Sequence, residues 1–207
     1  TVFDDMFVWL DEVLKVIRAY PETLFVIRAH PDEMRLRKAS LETVENWYYD
    51  RDVFNDENVI FVQPKETLSS YELIQRAKFT MIYNSTIGME ASIMGEPVLC
   101  AGKARFTQYP TVFFPQSVDA YGEKLEEMLK ADEIEVPAEF QRNARRFLYY
   151  QLFFSSLPFG EYLETGVRTS HALLQDFDLN SLSPKHSPTI KTILDGVLHD
   201  GDFLLKE

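Results

Sequence analysis

Four short apolar runs, separated by stretches with helical spacing, constrain this chain more than any other feature. They are Leu24-Phe25-Val26-Ile27, Val59-Ile60-Phe61-Val62, Phe79-Thr80-Met81-Ile82-Tyr83 and Pro97-Val98-Leu99-Cys100-Ala101. Each is too short for a helix, and unbroken hydrophobicity, rather than alternation, suits a strand covered on both faces. Across residues 5–20, Met6, Leu10, Val13, Leu14 and Ile17 fall at three- and four-residue steps on one helical face, which Pro21 ends. Ser40 can cap a second helix running to about Tyr49, Ser69 and Glu72 have the spacing of a capping box opening a helix to Ala77, and a helix from Gly88 to Met94 is closed by Gly95. This alternation predicts an α/β fold built as a Rossmann-like parallel sheet with helices on both faces.

Beyond residue 115 the pattern changes to helices alone: one over 117–130, a long one from Ala138 with Pro137 at its first position, and a short last one over 189–198 after a loop. The expected division is an α/β domain over 1–135 and a helical C-terminal extension over 136–207. Within the extension, residues 147–154 are aromatic and apolar nearly all round their helix, a pattern that predicts packing against the sheet and against the other half of the protein, with membrane contact the alternative that their shortness and weak basicity disfavour.

A length of 207 residues suits one domain with an extension. The 45% hydrophobic content mixed with both charges describes a globular chain, and the net charge of -12 argues against wrapping nucleic acid. A single cysteine, Cys100, excludes an intramolecular disulfide framework and a cysteine zinc cluster, so a reducing, cytoplasmic setting is expected. His171, His186 and His199 lack metal-ligand spacing, and no metal is expected. No apolar run approaches the ~20 residues of a membrane span, and no leader is recognisable. Because the chain starts at Thr1 rather than Met, a fragment of a longer protein is expected. No Gly-x-Gly-x-x-Gly or P-loop follows any strand, which argues against a dehydrogenase or a P-loop NTPase.

In an open parallel sheet ligands bind beyond the carboxyl ends of the strands. After the first run comes Arg28-Ala29-His30-Pro31, where Pro31 keeps His30 out of the helical region, so that its ring either faces a phosphate or base or is a spacer ahead of the proline. After the third run comes Asn84-Ser85-Thr86-Ile87-Gly88, leading into a helix that carries Glu90. The unpaired N–H groups of a first helical turn favour an anion, and a diphosphate fits there, with Glu90 in reach of vicinal ribose hydroxyls. A plain cap by Ser85 or Thr86, with Gly88 allowing close packing, accounts for the same residues one by one. Lys103 and Arg105, past the fourth run, either add positive charge near a leaving diphosphate or are solvated loop cations, and Tyr109 either stacks on a base or is packed.

The string Ser85-Thr86-Ile87-Gly88-Met89-Glu90-Ala91, followed by Gly95-Glu96-Pro97-Val98, resembles the small-residue turn, ribose-binding Glu and Gly-x-Pro strand start of GT-B glycosyltransferases. Phe25-Val26-Ile27-Arg28-Ala29-His30-Pro31, then Glu33, resembles the strand and His-Pro motif of the capsule polysaccharide biosynthesis proteins, a motif shared with transferases that use CMP-Kdo. The resemblance covers roughly residues 3–115. It implies a GT-B C-terminal domain in which Arg28, His30, Asn84, Ser85, Thr86, Gly88 and Glu90 bind a nucleotide-sugar donor, with no metal or other cofactor. It further implies a separate N-terminal domain holding the acceptor site and catalytic base, a glycan or lipid-linked acceptor, and peripheral contact with the inner membrane. No residue of this chain is assigned as catalytic. The alternatives are a non-catalytic Rossmann-like binding domain, in which the turn is only a capped helix, and a sugar-nucleotide epimerase of the same layout.

Overall fold

The computed structural model describes residues 2–34, 42–164 and 173–205. They form two compact units, 1–144 and 145–207. The first begins with helix α1 (Met6–Ala19), whose N-terminus is capped by Asp5: its Oδ1 accepts from the amides of Phe7 at 2.7 Å and Val8 at 2.9 Å. The spacing seen in the sequence becomes the buried stripe Trp9, Leu10, Val13, Leu14 and Ile17. Each such side chain contributes roughly 1.5–3 kcal/mol on burial.

The end of α1 is tied to the strands by one side chain. Asn58 Nδ2 donates to the carbonyls of Ile17 at 3.0 Å, Tyr20 at 3.0 Å and Thr23 at 3.3 Å, while its own carbonyl accepts from Phe25 N at 2.8 Å. That contact sets the register of β1 (Phe25–Arg28) on β2 (Val59–Val62), which pair in parallel with Phe25 opposite Val59 and Arg28 opposite Val62. Between them lies α2 (Val44–Asp50), capped by Thr43, whose Oγ1 accepts from Asn46 N at 3.1 Å. The cap thus falls at Thr43, and Ser40, the expected one, lies outside the described residues.

Helix α3 (Ser70–Arg76) leads to β3 (Thr80–Ile82), then α4 (Ile87–Met94) and β4 (Val98–Cys100). Strands β3 and β4 pair in parallel, Thr80 opposite Val98 and Ile82 opposite Cys100. The expected capping box at the start of α3 does not form: Ser69 makes no side-chain cap bond. Gly95 ends α4 at φ 93°, a left-handed conformation that glycine adopts without a Cβ penalty. The chain is therefore a mixed α/β fold of parallel strand pairs, compatible with a Rossmann-like arrangement.

Two features differ from the sequence expectation. In place of one four-stranded sheet, the described strands hydrogen-bond as two separate pairs, β1 with β2 and β3 with β4. Coverage on both faces holds for β4, which is wholly buried, but not for the first pair: the neighbours Val26 and Ile60 are 42% and 48% exposed. Both pairs nevertheless contribute to one core, in which Phe25, Ala29, Leu99 and Ala101 pack with the α1 stripe. Helix α5 (Val118–Lys130), capped by Ser117, adds Tyr121, Leu125 and Met128 to that core. The Trp9 indole N–H donates to the Tyr121 hydroxyl at 2.8 Å in the buried interior, and burial raises the Tyr121 phenol well above its usual range.

Helix α6 (Ala138–Tyr150) runs into a π-helical turn (Gln151–Ser155). In the aromatic stretch 147–154, Tyr149, Tyr150, Leu152 and Phe153 are between 46% and 59% exposed. That unit is held by Tyr162, buried, whose hydroxyl donates to Ser181 O at 2.9 Å, and by Thr189 Oγ1 donating to Pro158 O at 2.8 Å. Helix α7 (Pro188–His199) starts with proline at its first position, capped by Ser187. Among the described residues no helix is long and apolar enough to cross a membrane.

Two consequences can be measured. Replacing Asn58 by Ala leaves the three carbonyls at the end of α1 without that donor and is expected to cost about 1–3 kcal/mol, seen as a lower urea midpoint with an unchanged m-value. Asp11 is held below the usual carboxylate range, first by Arg51, which donates at 2.9 and 3.0 Å, and also by the Trp47 indole. The unfolded chain takes up that proton at an ordinary carboxylate pKa, so the pair's contribution is complete above about pH 4 and lost as pH falls through the lowered folded value. Asp11→Asn is accordingly expected to lower Tm at pH 7, by an amount kept small by solvent screening, with the gap to wild type closing below about pH 4.

Candidate functional site

The carboxyl end of β1 delivers Arg28, and the backbone then turns through a 3-10 segment, Pro31–Met34. His30 is exposed at the start of that turn, its carbonyl accepting from Glu33 N at 3.0 Å. Glu33 closes the turn onto the next element: its Oε2 accepts from Val44 N at 3.3 Å, the first residue of α2, and the backbone of His30 also donates to the carboxylate. Burial nevertheless raises the Glu33 carboxyl above its ordinary range. Glu33 is therefore the strut that fixes the His-Pro turn against α2.

Arg28 is half-buried, and its Nε donates to Ser70 Oγ at 2.7 Å. Its Nη1 is buried with no hydrogen-bond partner among the described residues. A buried, unpaired guanidinium nitrogen is costly, because it has given up water for nothing. An anion is the chemical partner that would relieve it.

The carboxyl end of β3 leads through Tyr83 and Asn84 into α4. Tyr83 is fixed on several sides: its ring lies 6.0 Å from that of Trp9, and its carbonyl accepts from Gly102 N at 2.5 Å and from Cys100 Sγ at 3.3 Å. Burial pushes the Cys100 thiol up to about 12, so it is no nucleophile at neutral pH. Gly102 is required at this crossing, since a Cβ there would sit 2.8 Å from Tyr83 O.

Asn84 and Thr86 are exposed and Ser85 is partly so. Thr86, at the helix boundary, makes no side-chain cap bond, and among the described residues neither the Ser85 nor the Thr86 hydroxyl closes the first turn. The carbonyls of this turn are used, Ser85 O by Gly88 N at 3.1 Å and Thr86 O by Met89 N at 3.0 Å, while the leading amides belong to the set that a helix start leaves without partners inside the helix. The simple cap reading thus lacks the bond it needs.

Gly88 faces inward: a Cβ there would lie 2.2 Å from Ile82 Cδ1 and 3.3 Å from Val98 Cγ1. Its lack of a side chain is what lets α4 press on β3 and β4. Half a turn further, Glu90 is partly buried and its Oε2 accepts a hydrogen bond from the hydroxyl of Tyr71, the residue next to Ser70 at the start of α3. The hydrogen-bonding to Glu90 and its charge raise the Tyr71 phenol.

Arg28 and Glu90, from different strand–helix pairs, are thereby linked through the neighbours Ser70 and Tyr71. His30 and the turn 84–88 take their places from their own strands. Ser70 and Tyr71 went unrecognised in the sequence because the apparent capping box drew attention to Ser69 and Glu72; only the fold brings their side chains to Arg28 and Glu90. Past β4, Lys103 lines a hollow of about 340 Å³ with Thr107, Gln108 and Gln116, and Arg105 is exposed in the same loop. A second hollow, about 420 Å³, lies along α1 beside the Asp11–Arg51 pair, away from every residue expected to bind a ligand. Among the described residues no three His, Cys, Asp or Glu side chains converge as a metal site requires. The His186 ring lies 3.1 Å from Asn180 O, the His199 ring pairs with Asp195 when protonated, and His171 lies outside the described residues.

The geometry defines an α/β protein whose candidate ligand groups stand at the ends of parallel strands and at an uncapped helix start. The profile of the capsule polysaccharide biosynthesis proteins matches residues 4–109, just over half of the 207-residue chain, and the chain belongs to that family. The match runs from ahead of α1 to the loop after β4 and contains both strand pairs and every residue from Arg28 to Glu90 discussed above. Membership gives the chain a role in capsule polysaccharide synthesis. No curated protein and no solved structure matches it.

The packing role of Gly88 can be tested directly. Gly88→Ala is expected to destabilise by about 1–3 kcal/mol through overpacking, because Ile82 must move before the methyl fits; denaturant unfolding would register it.

Proposed function

We propose that this chain is the donor-binding part of a glycosyltransferase of GT-B layout, passing a sugar from a nucleotide-sugar to a glycan or lipid-linked acceptor during capsule synthesis. Residues 1–135 form the donor domain in this reading and 136–207 the helical extension. A further N-terminal domain supplies the acceptor site and catalytic base. The observation that carries the reading is the start of α4: Asn84 and Thr86 exposed, Ser85 partly so, no side-chain cap at Thr86, and Glu90 half a turn further on. Family membership and the unpartnered Nη1 of Arg28 support it.

Each group has a task that follows from its chemistry. Sugar transfer breaks the bond from the anomeric carbon to the donor phosphate oxygen as the acceptor oxygen bonds that carbon, so negative charge gathers on the leaving phosphate. The first-turn amides, with the Ser85 and Thr86 hydroxyls, donate to that phosphate, aided by the positive end of the helix dipole. Arg28 and His30 add donors from the β1 end, Gly88 lets the helix start sit close to the strands, and Glu90 accepts from the ribose. Neither a metal nor an organic cofactor is required. A net charge of -12 keeps nucleic acid out of the partner list, and a cytoplasmic protein working at the inner membrane fits both the lone buried cysteine and the acceptor class.

Calorimetric titration with CMP, CDP, UDP and GDP tests this. One nucleotide is expected to bind selectively and saturably, with His30→Ala and Glu90→Ala each weakening it about tenfold, or about 1.4 kcal/mol. Absence of saturable binding by all four, or binding indifferent to both substitutions, overturns it.

A further inference from the structure

The start of α3 is used in a way that its own helix does not require. Ser69, in the cap position, makes no side-chain cap bond, and Glu72 is exposed. The two residues between them reach instead to other elements. Ser70 Oγ accepts from Arg28 Nε at 2.7 Å, and the Tyr71 hydroxyl donates to Glu90 Oε2. Tyr71 reaches Glu90 while staying half exposed as a residue, so apolar burial alone does not account for its position.

The two bonds restrain groups that otherwise swing freely. A glutamate has three rotatable side-chain bonds, and an arginine more; ordering either at the moment of binding costs affinity. With Oε2 committed to Tyr71, Glu90 Oε1 is left to accept from a ligand hydroxyl. With Nε committed to Ser70, Arg28 presents its two Nη nitrogens, and Nη1 is the buried atom without a partner.

We propose that Tyr71 and Ser70 form a positioning clamp for the donor site, Tyr71 holding Glu90 ready for the ribose hydroxyls and Ser70 holding Arg28 ready for the phosphate. This rests on the donor-site reading above. Tyr71 acts through Glu90 and touches no reacting atom. Its hydroxyl contributes to ribose recognition alone, whereas Ser70 contributes to the phosphate and so to every nucleotide equally.

The test compares the member of the CMP, CDP, UDP and GDP set that the chain binds with its 2′-deoxy counterpart, by calorimetry on variants whose Tm matches wild type. Tyr71→Phe keeps the ring and removes the hydroxyl. It is expected to weaken the ribonucleotide about fivefold and leave the deoxynucleotide unchanged, so the preference for ribose shrinks. Ser70→Ala is expected to weaken both by the same factor, about threefold. Glu90→Gln separates the two claims. If it abolishes the ribose preference while Tyr71→Phe changes neither nucleotide, or both equally, the clamp is overturned and the donor site stands. If Glu90→Gln leaves the preference intact, or no nucleotide binds, the assignment of Glu90 fails and takes the clamp with it.

Discussion

Strands of three and four residues have too few ladder hydrogen bonds to place anything by themselves, and this fold depends on what is packed over them. The apolar stripe of α1 serves that purpose, since Trp9, Leu10, Val13, Leu14 and Ile17 share a core with Phe25 of β1 and Leu99 of β4, and with Ala29 and Ala101 just past the ends of those strands. One buried hydrogen bond, from the Trp9 indole to the Tyr121 hydroxyl, ties the helix at the front of the chain to α5. At its other end Asn58 ties α1 to the start of β1. The strand ends, where the candidate ligand groups stand, inherit their positions from this packing.

Close approach of backbone to strand is the second constraint, and it shapes the site. Gly88 admits no Cβ beside Ile82, and Gly102 none beside the Tyr83 carbonyl, so the segments before and after β4 are both pulled tight around the end of β3. At the start of α4 no side-chain cap forms at Thr86, which is exposed, with Ser85 partly so. On the other side, Glu33 anchors the His-Pro turn to the first turn of α2. Of the candidate ligand groups, His30, Asn84 and Thr86 are exposed, Arg28, Ser85 and Glu90 are partly buried, and Gly88 is buried.

Helices and strands were legible where one periodicity ruled. The runs at 24–27, 59–62, 79–83 and 97–101 all became strands, the second with its bounds unchanged and the others shifted or shortened by a residue or two, while the last helix begins at Pro188, one residue ahead of its expected start, because proline suits the first helical position. Misreadings arose where a local pattern had a competing use. Ser69 and Glu72 have capping-box spacing, yet the adjacent Ser70 and Tyr71 make the bonds that matter, to residues 42 and 19 positions away. The apolar runs of β1 and β2 read as fully covered, but burial depends on what lies above a strand, and Val26 and Ile60 stay open.

What the sequence determined by itself was therefore the set of elements, their order, and the two turns carrying Arg28, His30 and residues 84–90. These follow from spacing, caps and breakers that act over a few residues, and their order suffices to define the α/β class and to carry the family's motifs. Tertiary structure alone decided that the strands hydrogen-bond as two pairs, that Gly88 and Gly102 answer to Ile82 and Tyr83, and that the first turn of α3 joins Arg28 to Glu90. Those outcomes depend on distances between residues far apart in the chain. Such distances are set by how whole faces pack, and no local pattern of residues encodes them.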